Sequence, residues 1–391
     1  MNKKPKVVLI ECVCPHYRVP VFRKLAEKVD LTFFYGKGEK KGALKNASNI
    51  EGFKHKELFT FVFKLYTRVF PIRLVWFPFL LLHIFKENPD VIISEGVTNM
   101  INTMFIFVYS KIVKSPLIIW DNGRKKGTRA KSILKEIVGP IHTLILKNAT
   151  AVIGYGSICK EYFIACGVKP EKIFIAQNTI GVERCFAEIE KLINNQQKID
   201  EIRKKYNLSN KKVILYVGAL ETRKRVENLI VVFNEIKKSM QNISLLIIGD
   251  GPEMGHLTNL VKRENISDCL FLGKVIDEVS KYFYISDVFV QPGWSSLALV
   301  EAMAYSKPVI TVPYGGVEYG IIENNRDGII IDRDDLVALK SAILKILGNE
   351  TASKKISKLA FEKVKYFTLD NMVQGILDAI KYSVGGGGEY L

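Results

Sequence analysis

The stretch VILYVGALETRKRVENLIVVFNEIKKSM, residues 213–240, joins an apolar strand-like run to an amphipathic helix-like run through a short loop. Residues 213–217 are apolar and rich in β-branched side chains, Gly218 ends the run, and helical spacing of apolar residues begins near Val226. The same strand, turn and helix pattern recurs on both sides of this stretch. Such alternation predicts parallel sheets covered by helices on both faces, which is an α/β fold.

Two domains of this kind fit a chain of 391 residues. A polar, lysine-rich segment over residues 183–212 separates two series of strands and helices, and we place the domain boundary at its start. Two such domains in tandem predict a ligand-binding cleft at the carboxyl ends of their strands. The expected first domain spans residues 1–182 and the second spans residues 183–365. A helix over residues 366–384 is expected to pack back towards the first domain, and residues 385–391 are expected to form a flexible tail.

Positive charge is concentrated in the first half of the chain. Residues 1–190 carry 30 Lys and Arg against 16 Asp and Glu, a net charge of +14, whereas the remainder carries 27 against 24. This excess favours an anionic partner, and nucleic acid, an anionic membrane face and a pyrophosphate-bearing acceptor all fit it. Six irregularly spaced cysteines exclude a disulfide scaffold and indicate a reducing compartment.

Two loops that follow second-half strands carry glycines, and the first of them also carries cations. The first follows residues 213–217 and ends in three cations that could clamp a pyrophosphate or form a solvated basic turn: Arg223, Lys224 and Arg225. The second loop reads GDGPE and follows residues 244–248. Its Gly249 and Gly251 either lead a ligand to a helix N-terminus or only form a turn.

A third loop, QPGWSSLALVEAM, is the most informative. Gly293 and the proline before it break the chain, and Ser295 or Ser296 is expected to cap a new helix. The unpaired N–H groups at the start of that helix could bind a phosphate. Glu301, about one turn further in, could accept hydrogen bonds from sugar hydroxyls. The alternative for the same residues is an ordinary capped helix with a solvated glutamate.

The spacing of these loops resembles that of the retaining nucleotide-sugar glycosyltransferases of the GT-B class, in particular the large family 4 type of hexosyl- and mannosyltransferases. That pattern begins with G-R-L-x3-K-G, which Gly218 and Lys224 match, and continues with G-D-G-P, which is residues 249–252. It then has E-x7-E, whose second glutamate is Glu301, followed by K-P-V-I at residues 307–310 and a G-G turn at residues 315–316. Three positions depart from it. Ala219 replaces an arginine, Arg225 replaces a glycine, and Gly293 replaces the first glutamate of E-x7-E.

The resemblance implies two Rossmann-like domains, a nucleotide-diphosphate sugar as donor substrate, and neither a metal nor another cofactor. It implies that Lys224 and Arg223 stabilise the leaving diphosphate and that Glu301 binds the ribose. The residue that holds the donor sugar is open, because the first glutamate is absent. The donor-binding candidates are Gly218, Ala219, Lys224, Arg225, Gly249, Gly251, Gly293, Ser295, Ser296, Leu297 and Glu301.

The same resemblance implies that the first domain binds a saccharide or lipid-linked acceptor of cell-envelope glycan biosynthesis. Asp121 and Asn122 are catalytic candidates, because they end a strand where the reacting sugar is expected, although an Asx turn is an alternative reading of them. The remaining acceptor-binding candidates also follow first-half strands: His16, Tyr17, Arg18, Glu95 and Arg124.

Residues 59–85 mix basic and aromatic side chains at helical spacing, which favours peripheral contact with the inner face of the cytoplasmic membrane. The alternative is a core helix covered by lysine stems. Two other functions remain open: a nucleotide-sugar epimerase or hydrolase of the same fold, and a basic nucleic-acid-binding protein. The sequence carries no compact nucleic-acid motif, so we expect no nucleic-acid partner.

Overall fold

The computed structural model of the protein describes residues 3–38, 45–66, 71–96, 99–123, 133–275, 278–294, 296–313 and 318–385. The chain divides into two compact units. Unit 1 comprises Met1–Asn178 and Leu369–Leu391, and unit 2 comprises Thr179–Thr368. The division therefore falls slightly before the boundary expected after residue 182, and the last helix begins at Leu369 rather than at 366.

Unit 1 is an α/β unit with a parallel sheet. Its strands are β1 Lys6–Glu11, β2 Asp30–Gly36, β3 Lys54–Leu58, β4 Phe61–Tyr66, β5 Pro71–Trp76, β6 Val91–Glu95, β7 Leu117–Asp121, β8 Ala151–Gly154 and β9 Ile173–Ile175. Its helices are α1 Val19–Ala26, α2 Leu80–Glu87, α3 Met100–Val113, α4 Ile133–Asn148, α5 Ile158–Ala165 and, from the end of the chain, Leu369–Val384. Among the described residues the sheet order is β3-β2-β1-β6-β7-β8-β9, and β4 and β5 form a separate antiparallel hairpin.

The hairpin corrects the reading of residues 59–85 as a helical segment. Phe61–Tyr66 pairs with Pro71–Trp76, and the helical part of the described residues in this segment begins at Leu80, in α2 Leu80–Glu87. Aromatic and β-branched residues such as those of FVFKLY favour strands, which explains the difference.

Alternate residues of β1 show how the unit 1 sheet is covered. Val7 and Leu9 pack with α1 and Leu369–Val384 on one face, and Val8 and Ile10 pack with α2 and α3 on the other. Both faces are therefore buried, as expected for a parallel sheet. Among the described residues, no helix combines the length and the apolar character needed to cross a bilayer.

Unit 2 has a second parallel sheet. Its strands are β10 Lys212–Val217, β11 Ile243–Ile248, β12 Cys269–Gly273, β13 Val288–Gln291, β14 Val309–Thr311 and β15 Ile329–Ile330. Its helices are α6 Glu183–Ile193, α7 Gln196–Lys205, α8 Val226–Lys237, α9 Met254–Arg263, α10 Val279–Ile285, α11 Ala298–Ala304, α12 Glu318–Ile321, α13 Leu336–Gly348 and α14 Glu350–Val364. The last helix of the chain, Leu369–Val384, belongs to unit 1 and is called α15. The order β12-β11-β10-β13-β14-β15 reverses beside β10, which is the dinucleotide-binding arrangement.

Candidate active site

The loops after β10 and β11 are held together by their backbones. Leu220 N–H donates to the Asp250 carbonyl at 3.0 Å, and Gly218 N–H donates to the Ile248 carbonyl at 2.9 Å. A Cβ on Gly249 would lie 1.8 Å from the Gly218 carbonyl oxygen, and the Gly249 φ is +146°. Only glycine fits that position, so the GDGP motif lets the two loops meet at the point where the strand order reverses.

The turn Thr222–Lys224 also contacts the loop after β13. Trp294 N–H donates to the Arg223 carbonyl at 3.0 Å, and Lys224 Nζ donates to the Trp294 carbonyl at 2.7 Å. A Cβ on Gly293 would lie 2.4 Å from the Lys224 carbonyl carbon and 2.5 Å from the Arg223 carbonyl oxygen. The close approach of this turn therefore explains why no glutamate stands at position 293.

The three predicted cations have different surroundings. Lys224 is only 5% exposed, and Arg223 lies with its Cζ 4.9 Å from the centre of the Trp294 ring. Arg225 has a left-handed backbone, φ +53°, and its Nε lies 3.4 Å from Asp334 Oδ1. The left-handed backbone accounts for the family's glycine at this position, and the ion pair gives Arg225 a structural partner.

The expected serine cap of α11 is not observed. The helix begins at Ala298, and its N-terminal flanking residue, Leu297, makes no side-chain cap. Ser296 instead pairs with Gln291: its N–H donates to Gln291 Oε1 at 3.0 Å, and its hydroxyl accepts from Gln291 Nε2 at 2.7 Å. The Ser296 N–H that was expected to meet a phosphate therefore already has an acceptor. Ser295 lies outside the described residues.

Glu301 lies on α11 and is buried. Arg184 Nη2 is 3.2 Å from Glu301 Oε1. Burial raises the pKa of the Glu301 carboxyl, and Arg184 opposes this rise. A carboxylate can accept hydrogen bonds from the two adjacent hydroxyls of a ribose.

In unit 1, two carboxyl side chains meet at the carboxyl ends of β1 and β6. The sheet register pairs Ile10 with Ser94, so Glu11 and Glu95 follow on adjacent strands. Glu95 Oε2 accepts the Cys12 N–H at 3.2 Å. Burial first, and Glu95 second, raise the pKa of Glu11 to about 8 against the opposing effect of Arg18.

The predicted acceptor residues after β1 form the turn His16–Arg18. Arg18 is buried, with its Cζ 4.8 Å from the ring centres of both Trp120 and Tyr155, and its Nη1 is 3.4 Å from the Met372 sulfur. Arg18 is therefore a fixed interior cation, whereas His16 is exposed. Arg124 lies outside the described residues, as do residues 315–316 of the G-G turn.

Asp121 is buried rather than open to a substrate. Its Oδ2 lies 3.1 Å from His142 Nε2, and its Oδ1 accepts the Gly123 N–H at 2.8 Å. A Cβ on Gly96 would overlap Asp121 Oδ2 at 1.8 Å. These contacts hold the Asp121 carboxyl in place within unit 1, and the catalytic role expected for it stays a prediction. Asn122 is exposed, and its carbonyl accepts from Cys159.

The family model "Glycosyl transferases group 1" matches residues 198–363, which contain every unit 2 loop described above. Residues 198–363 therefore belong to the group 1 glycosyltransferase family. An uncharacterized glycosyltransferase of Methanocaldococcus jannaschii is 26% identical over 76% of this chain and 78% of its own length. The alpha-monoglucosyldiacylglycerol synthase of Acholeplasma laidlawii is 28% identical, over 44% of this chain and 45% of its own length.

A solved structure shares the fold of this glycosyltransferase. Anabaena HepE in complex with UDP aligns with a TM-score of 0.72 at 14% identity, over 96% of this chain and 99% of that one. The predicted GT-B class, with two Rossmann-like α/β sheets, is thus confirmed.

Several polar residues of the glycosyltransferase could not be found from sequence patterns. Gln291 and Glu11 end apolar strands and read as strand residues, and Arg184 and His142 lie on helices far in sequence from their partners. A polar residue at the carboxyl end of a buried strand is the one signal that would have found Gln291 and Glu11. Among the described residues, no group of three metal-binding side chains comes together.

Proposed function

We propose that this glycosyltransferase moves a sugar from a nucleotide-diphosphate donor to a saccharide or lipid-linked acceptor, with retention of the anomeric configuration. The observation that carries the proposal is that three carboxyl-end loops of unit 2 are bonded to one another through the loop that carries Lys224. The buried Glu301 lies on the helix that follows the third of these loops. Amide-lined loops and cations at such a strand reversal suit a diphosphate, and a buried carboxyl suits a ribose.

The proposed step breaks the bond between the anomeric carbon and the diphosphate oxygen and forms a bond from that carbon to the acceptor oxygen. Negative charge grows on the leaving diphosphate, where Lys224 and Arg223 would stabilise it. The acceptor attacks from the face that the diphosphate leaves, and a diphosphate oxygen takes the acceptor's proton. These two cations supply the positive charge for the leaving group in the proposed metal-independent mechanism.

Nucleotide binding tests the proposal directly. We expect UDP, GDP or ADP to raise the Tm of the wild-type protein, because a ligand that binds the folded state stabilises it. Lys224→Ala and Glu301→Ala should each weaken nucleotide binding roughly 10- to 100-fold, the effect of losing a charged hydrogen bond of about 1.5–3 kcal/mol. Isothermal titration calorimetry measures the change, and circular dichroism verifies the fold of each variant.

Lys262→Ala is the matched control, since Lys262 is an exposed lysine on α9 of the same unit. It should bind nucleotide like the wild type. Unchanged affinity in both Lys224→Ala and Glu301→Ala would refute the site.

A nucleotide-sugar epimerase or hydrolase is the second candidate. The Glu11 and Glu95 pair favours it, because such chemistry needs carboxyl groups near the sugar ring. Incubation with nucleotide sugar in the absence of acceptor separates the two candidates. Release of an epimerised sugar would favour the second, and transfer to an added acceptor favours the first.

Contact with a membrane would bring a lipid-linked acceptor to this enzyme, and the surface of unit 1 supports such contact. Apolar side chains are exposed on the hairpin, α2 and α3: Phe59, Phe61, Phe63, Phe79, Leu82, Phe85, Phe105, Val108 and Ile112. Asn102 of α3 bonds the backbone of Val75 and Phe77, which ties the end of the hairpin to α3. We therefore propose that unit 1 binds the inner face of the cytoplasmic membrane.

A further inference from the structure

We propose that Glu11 and Glu95, held beside Arg18, form a binding site for a sugar hydroxyl in unit 1. This inference rests on the proposed transferase function, in which unit 1 binds the acceptor. Three independent features of the site support it: the position of the two carboxyl groups, an unused buried oxygen, and a rigid surrounding cage.

The two carboxyl groups lie at the edge of the sheet where ligands bind in this type of fold. Glu11 ends β1 and Glu95 ends β6, and these neighbouring parallel strands are in register. The bond from Cys12 N–H to Glu95 Oε2 fixes the Glu95 carboxyl over the first residue after β1. A small group placed at this edge would meet both carboxyls.

Glu11 has hydrogen-bonding capacity that the described residues do not use. Glu11 is 5% exposed, and its Oε1 has no hydrogen-bond partner among the described residues. A buried polar atom without a partner lowers the stability of the folded protein. Natural proteins retain such atoms rarely, and a ligand that completes the hydrogen bond accounts for this one.

The protonation of the pair suits a hydroxyl group. With a pKa raised to about 8 by burial, Glu11 carries a proton at neutral pH and can donate a hydrogen bond. Glu95 supplies carboxyl oxygens that accept. A hydroxyl accepts one hydrogen bond and donates another, so it can satisfy both side chains at once.

The groups that surround the pair are held in fixed positions. Trp120 and Tyr155 stack with ring centres 5.3 Å apart and hold Arg18. Burial raises the pKa of Tyr17 and of Tyr155, and burial together with Glu11 raises the pKa of the Cys14 thiol to about 12. The exposed His16, whose ring touches Tyr17, is the other titratable neighbour in this turn.

The test compares Glu11→Gln with wild type in the full-length protein saturated with the best-binding nucleotide. The probes are methyl α-D-mannopyranoside, methyl β-D-glucopyranoside and methyl β-D-galactopyranoside, followed by saturation-transfer NMR. We expect at least one glycoside to bind the wild type and to bind Glu11→Gln at least tenfold more weakly. Binding to the wild type should also fall between pH 7 and 9, where Glu11 loses its proton, whereas Glu11→Gln should show no such fall.

Glu27→Gln is the matched control, because Glu27 is an exposed glutamate of the same unit. It should keep wild-type glycoside binding and pH dependence. A merely structural Glu11 would lower the Tm of Glu11→Gln and leave glycoside binding unchanged, and that result would overturn the inference. So would the absence of glycoside binding to the nucleotide-bound wild type. Failure of every nucleotide to bind would instead contradict the proposed donor site.

Discussion

Gly293 lies against the backbone of Arg223 and Lys224, and this contact limits what position 293 can hold. A methyl group there would sit 2.4–2.5 Å from backbone atoms of the turn, which cannot move like a flexible side chain. We expect Gly293→Ala to lower the free energy of unfolding by about 1–3 kcal/mol, the usual cost of overpacking. Nucleotide affinity should fall with it, because the turn that carries Lys224 must shift. Urea denaturation and calorimetry measure the two effects.

Gly255→Ala is the control for this change. Gly255 lies inside α9, and nothing lies within 4 Å of its ideal Cβ position. Alanine should therefore leave nucleotide binding intact and raise stability by up to about 1 kcal/mol, since it favours a helix over glycine. Equal behaviour of the two variants would show that the backbone contact at Gly293 does not constrain the site.

The strands of the buried sheets could be predicted from sequence because their apolar runs are unmistakable. Residues 213–217 are a predicted strand and lie within Lys212–Val217. Lys54–Leu58 escaped prediction because it is an edge strand with four exposed residues out of five, so it has no apolar pattern. The serine cap expected for α11 is absent because Ser296 is held by tertiary bonds to the Gln291 side chain and does not cap the helix.

The site could be predicted as far as local motifs reach. Lys224, Gly249 and Glu301 belong to motifs whose spacing is visible in the sequence, and the structure joins the loops of Lys224 and Gly249 through backbone bonds. The Asp121–His142 and Arg184–Glu301 pairs each link residues far apart in sequence. Such contacts depend on tertiary packing, which a single sequence does not reveal.

Helix α15 belongs to unit 1 although it follows unit 2 in the chain. Its Met372, Val373, Ile376 and Ile380 are buried in the unit 1 core. Burying four such side chains contributes on the order of 6–12 kcal/mol, comparable to the whole stability of a domain. We expect a chain that ends at residue 368 to lose the cooperative unfolding of unit 1 while still binding nucleotide through unit 2. Calorimetry with and without nucleotide follows both units.

A chain that ends at residue 385 is the control for this truncation, because it keeps all of α15. It should unfold like the full chain. Intact unfolding of unit 1 in the shorter protein would contradict the assigned role of α15.

Charge and exposed apolar surface coincide in one part of the molecule. The net charge of +14 over residues 1–190 accompanies the exposed apolar side chains of α2 and α3, whereas the rest of the chain is close to neutral. Basic residues attract an anionic leaflet, and apolar side chains then enter its interface. We expect the protein to sediment with phosphatidylglycerol-containing vesicles more strongly than with phosphatidylcholine vesicles, and less strongly as salt screens the charges.

The apolar part of this attraction can be separated from the electrostatic part by substitution. Phe85 on α2 is 67% exposed and Ile112 on α3 is 75% exposed, so replacing both with serine removes no core contact. The double variant should bind anionic vesicles at least roughly tenfold more weakly, because each side chain loses apolar burial in the interface.

Val337→Ser is the matched control, since Val337 is 77% exposed but lies on α13 of unit 2. If Val337→Ser weakened vesicle binding as much as the double variant, the membrane surface would not lie on unit 1. Wild-type binding by the double variant would show that charge alone holds the protein at the leaflet.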